Sequence, residues 1–257
     1  MASKVLKDGT VLTFDDATKA IRVLHRASVL IVDDRIVAIA ENTDDLPVPA
    51  GSDIIDVQGK IVSPGFINTH VHMWQSVYRT VGPDVVLAQY FGWLSQFSET
   101  ATEAFTQDDV YISCLEGYLE GLNAGVTSYV EHAHNNWKHE VVEPGYEAAV
   151  DSGARVWWCY DVAPRANFSA EEQWETLSRI VAKAKPSSVL LGLSLDGLAC
   201  SYINDPKGQL AHIKQMVRRV HRCCCCVHTL TFFRKLNIEA ITMHHMGGPW
   251  PRRSSRR

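Results

Sequence analysis

No stretch of this chain is apolar for long enough to cross a bilayer. Its first residues, MASKVLKDGTVLTF, lack the uninterrupted apolar core behind a basic start that marks a secretory signal. The expected location is therefore cytoplasmic, with no membrane as partner. Positive charge is not in excess either: 25 Lys and Arg against 29 Asp and Glu give a formal net charge of -4, so nucleic acid is not an expected partner. A small-molecule substrate fits this balance better. Disulfides are also not expected. Of the seven cysteines, Cys114, Cys159 and Cys200 sit singly in apolar segments and read as buried thiols, whereas Cys223 to Cys226 are contiguous, a poor framework for cross-links. What remains is ordinary for a folded protein of 257 residues, at 46% hydrophobic and 21% charged.

Along the chain two regimes follow each other. The first sixty or so residues alternate short β-rich runs with turns. Val29 and Ile31 and then Ile36, Ala38 and Ala40 lie at strand spacing around Asp33-Asp34-Arg35, which predicts a hairpin. From Phe66 onward strands alternate with helices. FINTHVH is apolar and β-prone. In TQDDVYISCLEGYLEGLNAG, residues Tyr111, Leu115, Tyr118 and Leu122 share a helical face, Thr106 is the N-cap with Asp109 three residues on, and Gly125 is the stop. VTSYVEHAH and ARVWWCYDV follow as strands, with GYEAAVDSG between them as helix. SAEEQWETLSRIVAKAK is a helix, SVLLGLSLDG a strand, KGQLAHIKQMVRRVH a helix and NIEAITMHHMGG a fifth strand. Repeated strand–helix units argue for an α/β fold with a parallel sheet, compatible with a (β/α) barrel whose chemistry sits at the C-terminal strand ends. A doubly wound sheet would use the same ends, but no Gly-rich phosphate loop follows any strand.

The histidines fall where strands hand over to loops: His70 and His72, His132 and His134, His244 and His245. Residues i and i+2 of a strand point to one side, so His70 and His72 can bind one ion from a rigid platform. Imidazole nitrogen suits zinc, with iron as the alternative. Glu131, His132 and His134 read either as support for the metal histidines and substrate contacts or as a polar cluster satisfied by nearby loops. Asp161 and Asp196 also end strands and are placed to touch substrate.

The segment GKIVSPGFINTHVHMWQ, preceded by ASVLIVDDRIVAIAE, resembles the opening of the amidohydrolase superfamily, in the branch of cytosine, guanine and 8-oxoguanine deaminases and triazine hydrolases. The likeness continues through VYRTVGPDVVLAQYF and EGLNAGVTSYVEHAH and returns at IEAITMHHMGG. It implies a distorted (β/α)8 TIM-type barrel with a small β-sandwich built from both chain ends. It also implies one divalent metal, held by an H-x-H pair from the first strand, a histidine from the fifth, often another from the sixth, and an aspartate from the eighth. His70 and His72 match the pair. The fifth-strand ligand is His244 or His245: counting from Ala-Ile-Thr favours the former, and alignment on the following Met-Gly favours the latter. On this resemblance Trp74 and Gln75 face the substrate, Trp74 packing against the neighbouring helix being the other reading. His132 and His134 join them as substrate-side residues, and VGPDVVLAQYFGWLSQF forms a lid or wall or else ordinary core. A homodimer is a further implication. The expected chemistry is hydrolysis of a non-peptide carbon–nitrogen bond by metal-activated water.

The sequence departs from the family's pattern in its last third. After TMHHMGGPWP only a short basic tail, 252–257, follows, so the sixth-strand histidine, the eighth-strand aspartate and the rest of the sandwich have no counterpart, and no catalytic carboxylate is assigned. SVLLGLSLDG holds no lysine, which disfavours a carboxylated-lysine binuclear site. RCCCCVHTLTFFRK, residues 222–235, interrupts a helix–strand joint that usually spans about two to six residues. Excising it joins MVRRVH to LNIEAITMHH, as expected if it is translated non-coding sequence and 252–257 an aberrant tail. The expected organisation is thus 1–62 as part of the β-sandwich and 63–251 as the first five strands of the barrel. The alternative function is that of a truncated or mis-spliced form without activity, retaining at most ligand or partner binding.

Overall fold

The computed structural model describes residues 2–82, 84–163, 165, 167–184, 188–194 and 238–242. The chain divides into two compact units, Met1–Gly65 and Phe66–Arg257. The expected 222–235 insertion, the 252–257 tail and the helix KGQLAHIKQMVRRVH lie outside the described residues.

The first unit is one five-stranded sheet rather than two layers. β1 (Ser3–Asp15) pairs antiparallel with β2 (Ala20–Val32), which pairs antiparallel with β3 (Arg35–Ala40). β4 (Asp53–Asp56) and β5 (Ile61–Val62) both lie parallel to β1. Val32 opposes Arg35, so Asp33 and Asp34 form a two-residue turn, and Asp33 takes φ 51° there, the left-handed backbone such hairpins need and aspartate tolerates. Val5, Leu30 and Leu46 form one small core cluster and Val11, Ala27 and Val29 another.

The second unit holds five parallel strands in the order of the sequence: β6 (Phe66–Val71), β7 (Val126–Ala133), β8 (Arg155–Asp161), β9 (Val189–Ser194) and β10 (Ile238–Thr242). Between them run α1 (Leu87–Trp93), α2 (Glu99–Ala104), α3 (Gln107–Asn123), α4 (Val142–Asp151) and α5 (Ala170–Lys183). α3 starts as its sequence dictates: Thr106 Oγ1 accepts from the Asp109 amide at 3.2 Å, and Asp109 Oδ2 accepts from the Thr106 amide at 2.9 Å. It ends at Gly125 with φ 88°. Ser169 and Glu172 cap α5 in the same reciprocal way.

The core lies on one face of this sheet. Tyr129 and Ala133 of β7, Val156, Trp158 and Tyr160 of β8 and Val189, Leu191 and Leu193 of β9 alternate along their strands, and all pack in one cluster with Tyr118 of α3, Ala148 of α4 and Leu177 of α5. Three helices therefore share one side, unlike a doubly wound sheet, which carries helices on both. The other face carries His132, Cys159, Asp161 and Ser194. β6 bounds this sheet among the described residues, and its Phe66 and Ile67 are 67% and 66% exposed.

Candidate metal centre

β6 does not keep a plain alternation. Asn68 pairs with Tyr129 and Val71 with Glu131, so β6 spends three residues where β7 spends two. Such an irregularity re-aims side chains. It leaves Asn68 and Val71 opposite the helix-side residues Tyr129 and Glu131 and turns His70 and His72 to the other face.

There the histidines from two strands converge. The ring centroids of His70 and His72 are 4.8 Å apart, His70 and His132 5.5 Å, and His72 and His132 5.3 Å. His134, just past the end of β7, stacks on His72 at 3.8 Å with 20° between the ring planes. Two hydrogen bonds set ring tautomers. His72 Nδ1 lies 2.8 Å from the His132 carbonyl oxygen, which can only accept, so Nδ1 donates and the lone pair sits on Nε2, the atom suited to a metal. The Trp74 indole donates to His134 Nδ1 at 2.8 Å, so neutral His134 carries its proton on Nε2 and presents a donor.

Trp74 is fully buried and meets Tyr78, Phe105 and Trp137 edge-on at 5.6, 5.2 and 4.7 Å. Of its two sequence readings, packing accounts for the ring body, and the indole N–H orients a site histidine. Gln75 donates through Nε2 to the Tyr90 hydroxyl at 3.0 Å and to the Leu94 carbonyl at 3.1 Å. The α1 segment is thus tied to the end of β6 as a wall. Gly117 of α3 permits the close approach of the turn that carries these residues: a Cβ there would lie 3.0 Å from Met73 Sδ and 3.1 Å from Ser76 Cβ.

Glu131 parts company with His132 and His134. It faces the helix layer, fully buried, where its carboxyl accepts from the Tyr118 hydroxyl and, at 3.3 Å, from the Met73 amide. Burial pushes its pKa up to about 7, the two hydrogen bonds opposing the rise. It anchors the turn immediately after His72. Asp161 is likewise engaged, its Oδ2 lying 3.2 Å from Arg165 Nη2 and its carbonyl accepting from Asn136 Nδ2 at 2.9 Å. Arg165 and Asn136 escaped the sequence reading, which placed Tyr118 on a helical core face without its bond to Glu131. Only the position of Arg165, four residues past a strand end, hinted at it.

His244, His245 and Asp196 lie outside the described residues. Among the described residues no group of three or more His, Cys, Asp or Glu is arranged to hold a metal ion. The His70–His72 pair fits one as part of a ligand set: two imidazoles on one face, one with its Nε2 lone pair fixed by a backbone carbonyl.

No family model matches the chain. Curated proteins do. It is 31% identical over 131 residues to a 5'-deoxyadenosine deaminase of Methanosarcina mazei, covering 51% of this chain and 28% of that protein. It is 30% identical over 135 residues to a 5-methylthioadenosine/S-adenosylhomocysteine deaminase of Thermococcus kodakarensis, covering 52% and 29%. Among solved structures, the guanine deaminase from C. acetobutylicum superposes with a TM-score of 0.64 at 17% identity, over 84% of this chain and 51% of that one. An adenosine deaminase from Xanthomonas campestris with bound zinc superposes with a TM-score of 0.61 at 17% identity, over 95% and 49%. Over the matched residues the chain is similar to deaminases of the amidohydrolase type. The chain matches less than a third of the length of those curated relatives and about half of the length of those structural ones. No helix among its described residues is long and apolar enough to cross a membrane.

Proposed function

We propose that the protein is a metal-dependent hydrolase that deaminates a small purine-type heterocycle, water replacing the exocyclic amino group and ammonia leaving. The observation that carries this reading is the convergence of His70, His72, His132 and His134 at neighbouring strand ends, with the tautomer of His72 fixed for ligation. The deaminase relatives supply the substrate class. Five sequential parallel strands with helices on one face support a (β/α) barrel wall.

On this reading His70 and His72 hold a divalent cation, zinc first and iron as the alternative, with His244 or His245 as the further ligand. A cation held there would supply Lewis acidity, activating water and polarising the carbon to be attacked. The protein's own groups do the rest. The His132 carbonyl keeps the lone pair of His72 on Nε2, the atom that would ligate a cation. Trp74 keeps the His134 proton on Nε2, where it donates to an acceptor on the substrate ring. Gln75 holds the wall formed by the α1 segment. The active species is expected to be a homodimer, as in the family.

The test is ammonia release from 5'-deoxyadenosine, 5-methylthioadenosine, S-adenosylhomocysteine and guanine, before and after zinc is stripped with a chelator. Zinc-dependent release from one of the four is expected. Full zinc loading with no release from any of them would favour the second reading, a ligand-binding form without turnover.

A further inference from the structure

Two side chains just past the strand ends hold the same short segment from opposite sides. Gln75, three residues beyond His72, donates to the Tyr90 hydroxyl and the Leu94 carbonyl at 3.0 and 3.1 Å. Arg165, four residues beyond Asp161 at the end of β8, donates through Nη1 to the Gln96 carbonyl at 3.4 Å, and its guanidinium carbon lies 5.4 Å from the centre of the Phe97 ring. The same guanidinium meets Asp161 at 3.2 Å, with the two side chains 6% and 0% exposed. β6 and β8 are not neighbours, because β7 lies between them. A segment tied to both ends must pass the end of β7, the strand that carries His132 and leads into His134. The reach is adequate: Leu94 and Gln96 are two residues apart, roughly 7 Å of chain, and the Gln75 and Arg165 side chains make up the rest of two strand spacings of roughly 9.5 Å.

We propose that Arg165 is a positioning residue: paired with Asp161, and with Gln75 as the opposite anchor, it straps residues 90–97 across the C-terminal end of β7 as a fixed wall of the histidine face. α1 buries none of its residues, and Val86, Leu87 and Trp93 are 63%, 57% and 58% exposed. The buried part of the segment is polar, namely Ser95 and Gln96, and Gln96 offers its carbonyl to Arg165. Only arginine can serve a carboxylate, a carbonyl and an aromatic face from one planar fork. A buried ion pair is a poor source of net stability but a strong geometric constraint when its partners are fixed. The proposal rests on the reading of this face as the substrate side, and its test does not depend on turnover.

The test is hydrogen–deuterium exchange by mass spectrometry on the full chain, wild type against Arg165→Met and against Arg165→Met/Asp161→Asn. The double variant avoids a stranded buried carboxylate. Amides of 87–98 are expected to exchange roughly tenfold faster in both variants, while α3 and α5 keep wild-type protection. Zinc content stays at the wild-type level, which separates this result from any failure of the metal reading. Unchanged exchange over 87–98, or a rise shared equally by α3 and α5, would overturn the proposal and leave the pair as a general fold contact.

Discussion

The two faces of β7 hold different chemistry. Tyr129, Glu131 and Ala133 point into the helix layer, where Glu131 is sealed among Tyr118, Cys114 and the Met73 amide. His132, one residue on, points the other way, into the cluster with His70 and His72. Alternation of period two sorts adjacent polar residues into different chemical environments. On the helix side a carboxyl loses its water and is biased towards its neutral form. On the other side imidazoles gather, with tautomers set by a backbone carbonyl and an indole. The lesson is that neighbours in sequence at a strand end do not form one site. Substitutions on the helix side should change stability and leave metal content alone, and substitutions on the histidine side should do the reverse.

The largest effect is expected for Glu131. Its folded pKa is raised to about 7 from 4.5, so between these values the folded state holds the proton more tightly than the unfolded chain does. Stability should therefore fall as pH rises from 4.5 to about 7, by up to about 3 kcal/mol, and change little from this group above that. Denaturant melts at stepped pH should show this slope in the wild type, and Glu131→Gln should flatten it while zinc content stays unchanged. Next comes Gly121→Ala, whose Cβ would collide with the Tyr129 hydroxyl. It should lower stability by about 1–3 kcal/mol, read from the urea midpoint. Trp74→Phe sharpens the comparison because Trp74 serves both faces. Losing the indole donor to His134 should cost about 1 kcal/mol and lower turnover without releasing zinc. The smallest effect is expected for Thr106→Ala, which removes the α3 cap at a cost of about 1 kcal/mol or less. Its thermal midpoint should fall by a few degrees with the histidine face unaffected.

Much of this arrangement was legible in local sequence. Thr106 and Asp109 marked the start of α3 and Gly125 its stop, because cap chemistry is decided within a few residues. Tyr111, Leu115, Tyr118 and Leu122 lie in or against the core as their spacing requires. The Asp33-Asp34 hairpin followed from its flanking alternation. His70 and His72 share a face as an H-x-H pair should, and their meeting with His132 was signalled only by the common position at strand ends. Other features depend on the tertiary structure. The irregular pairing between Asn68 and Val71, which decides the face the histidines take, is a property of two strands together. The burial of Arg165 depends on Asp161, Gln96 and Phe97, which approach it from separate elements. Glu131 could have been separated from His132 by the period of the strand alone, yet the cluster EHAH invites reading its members as one group. The first unit is a single sheet in which β1 pairs on both sides, an arrangement that depends on strand partners distant in sequence.

The central claim, put forward here as a proposal, is that His70 and His72 form a cation-holding pair. The most direct test is the zinc content of the purified protein, measured by plasma mass spectrometry for the wild type and for His70→Ala/His72→Ala under identical loading. The account predicts zinc bound in the wild type and reduced to background in the double variant, with the urea midpoint of the variant close to wild type. Equal zinc in both proteins would contradict it.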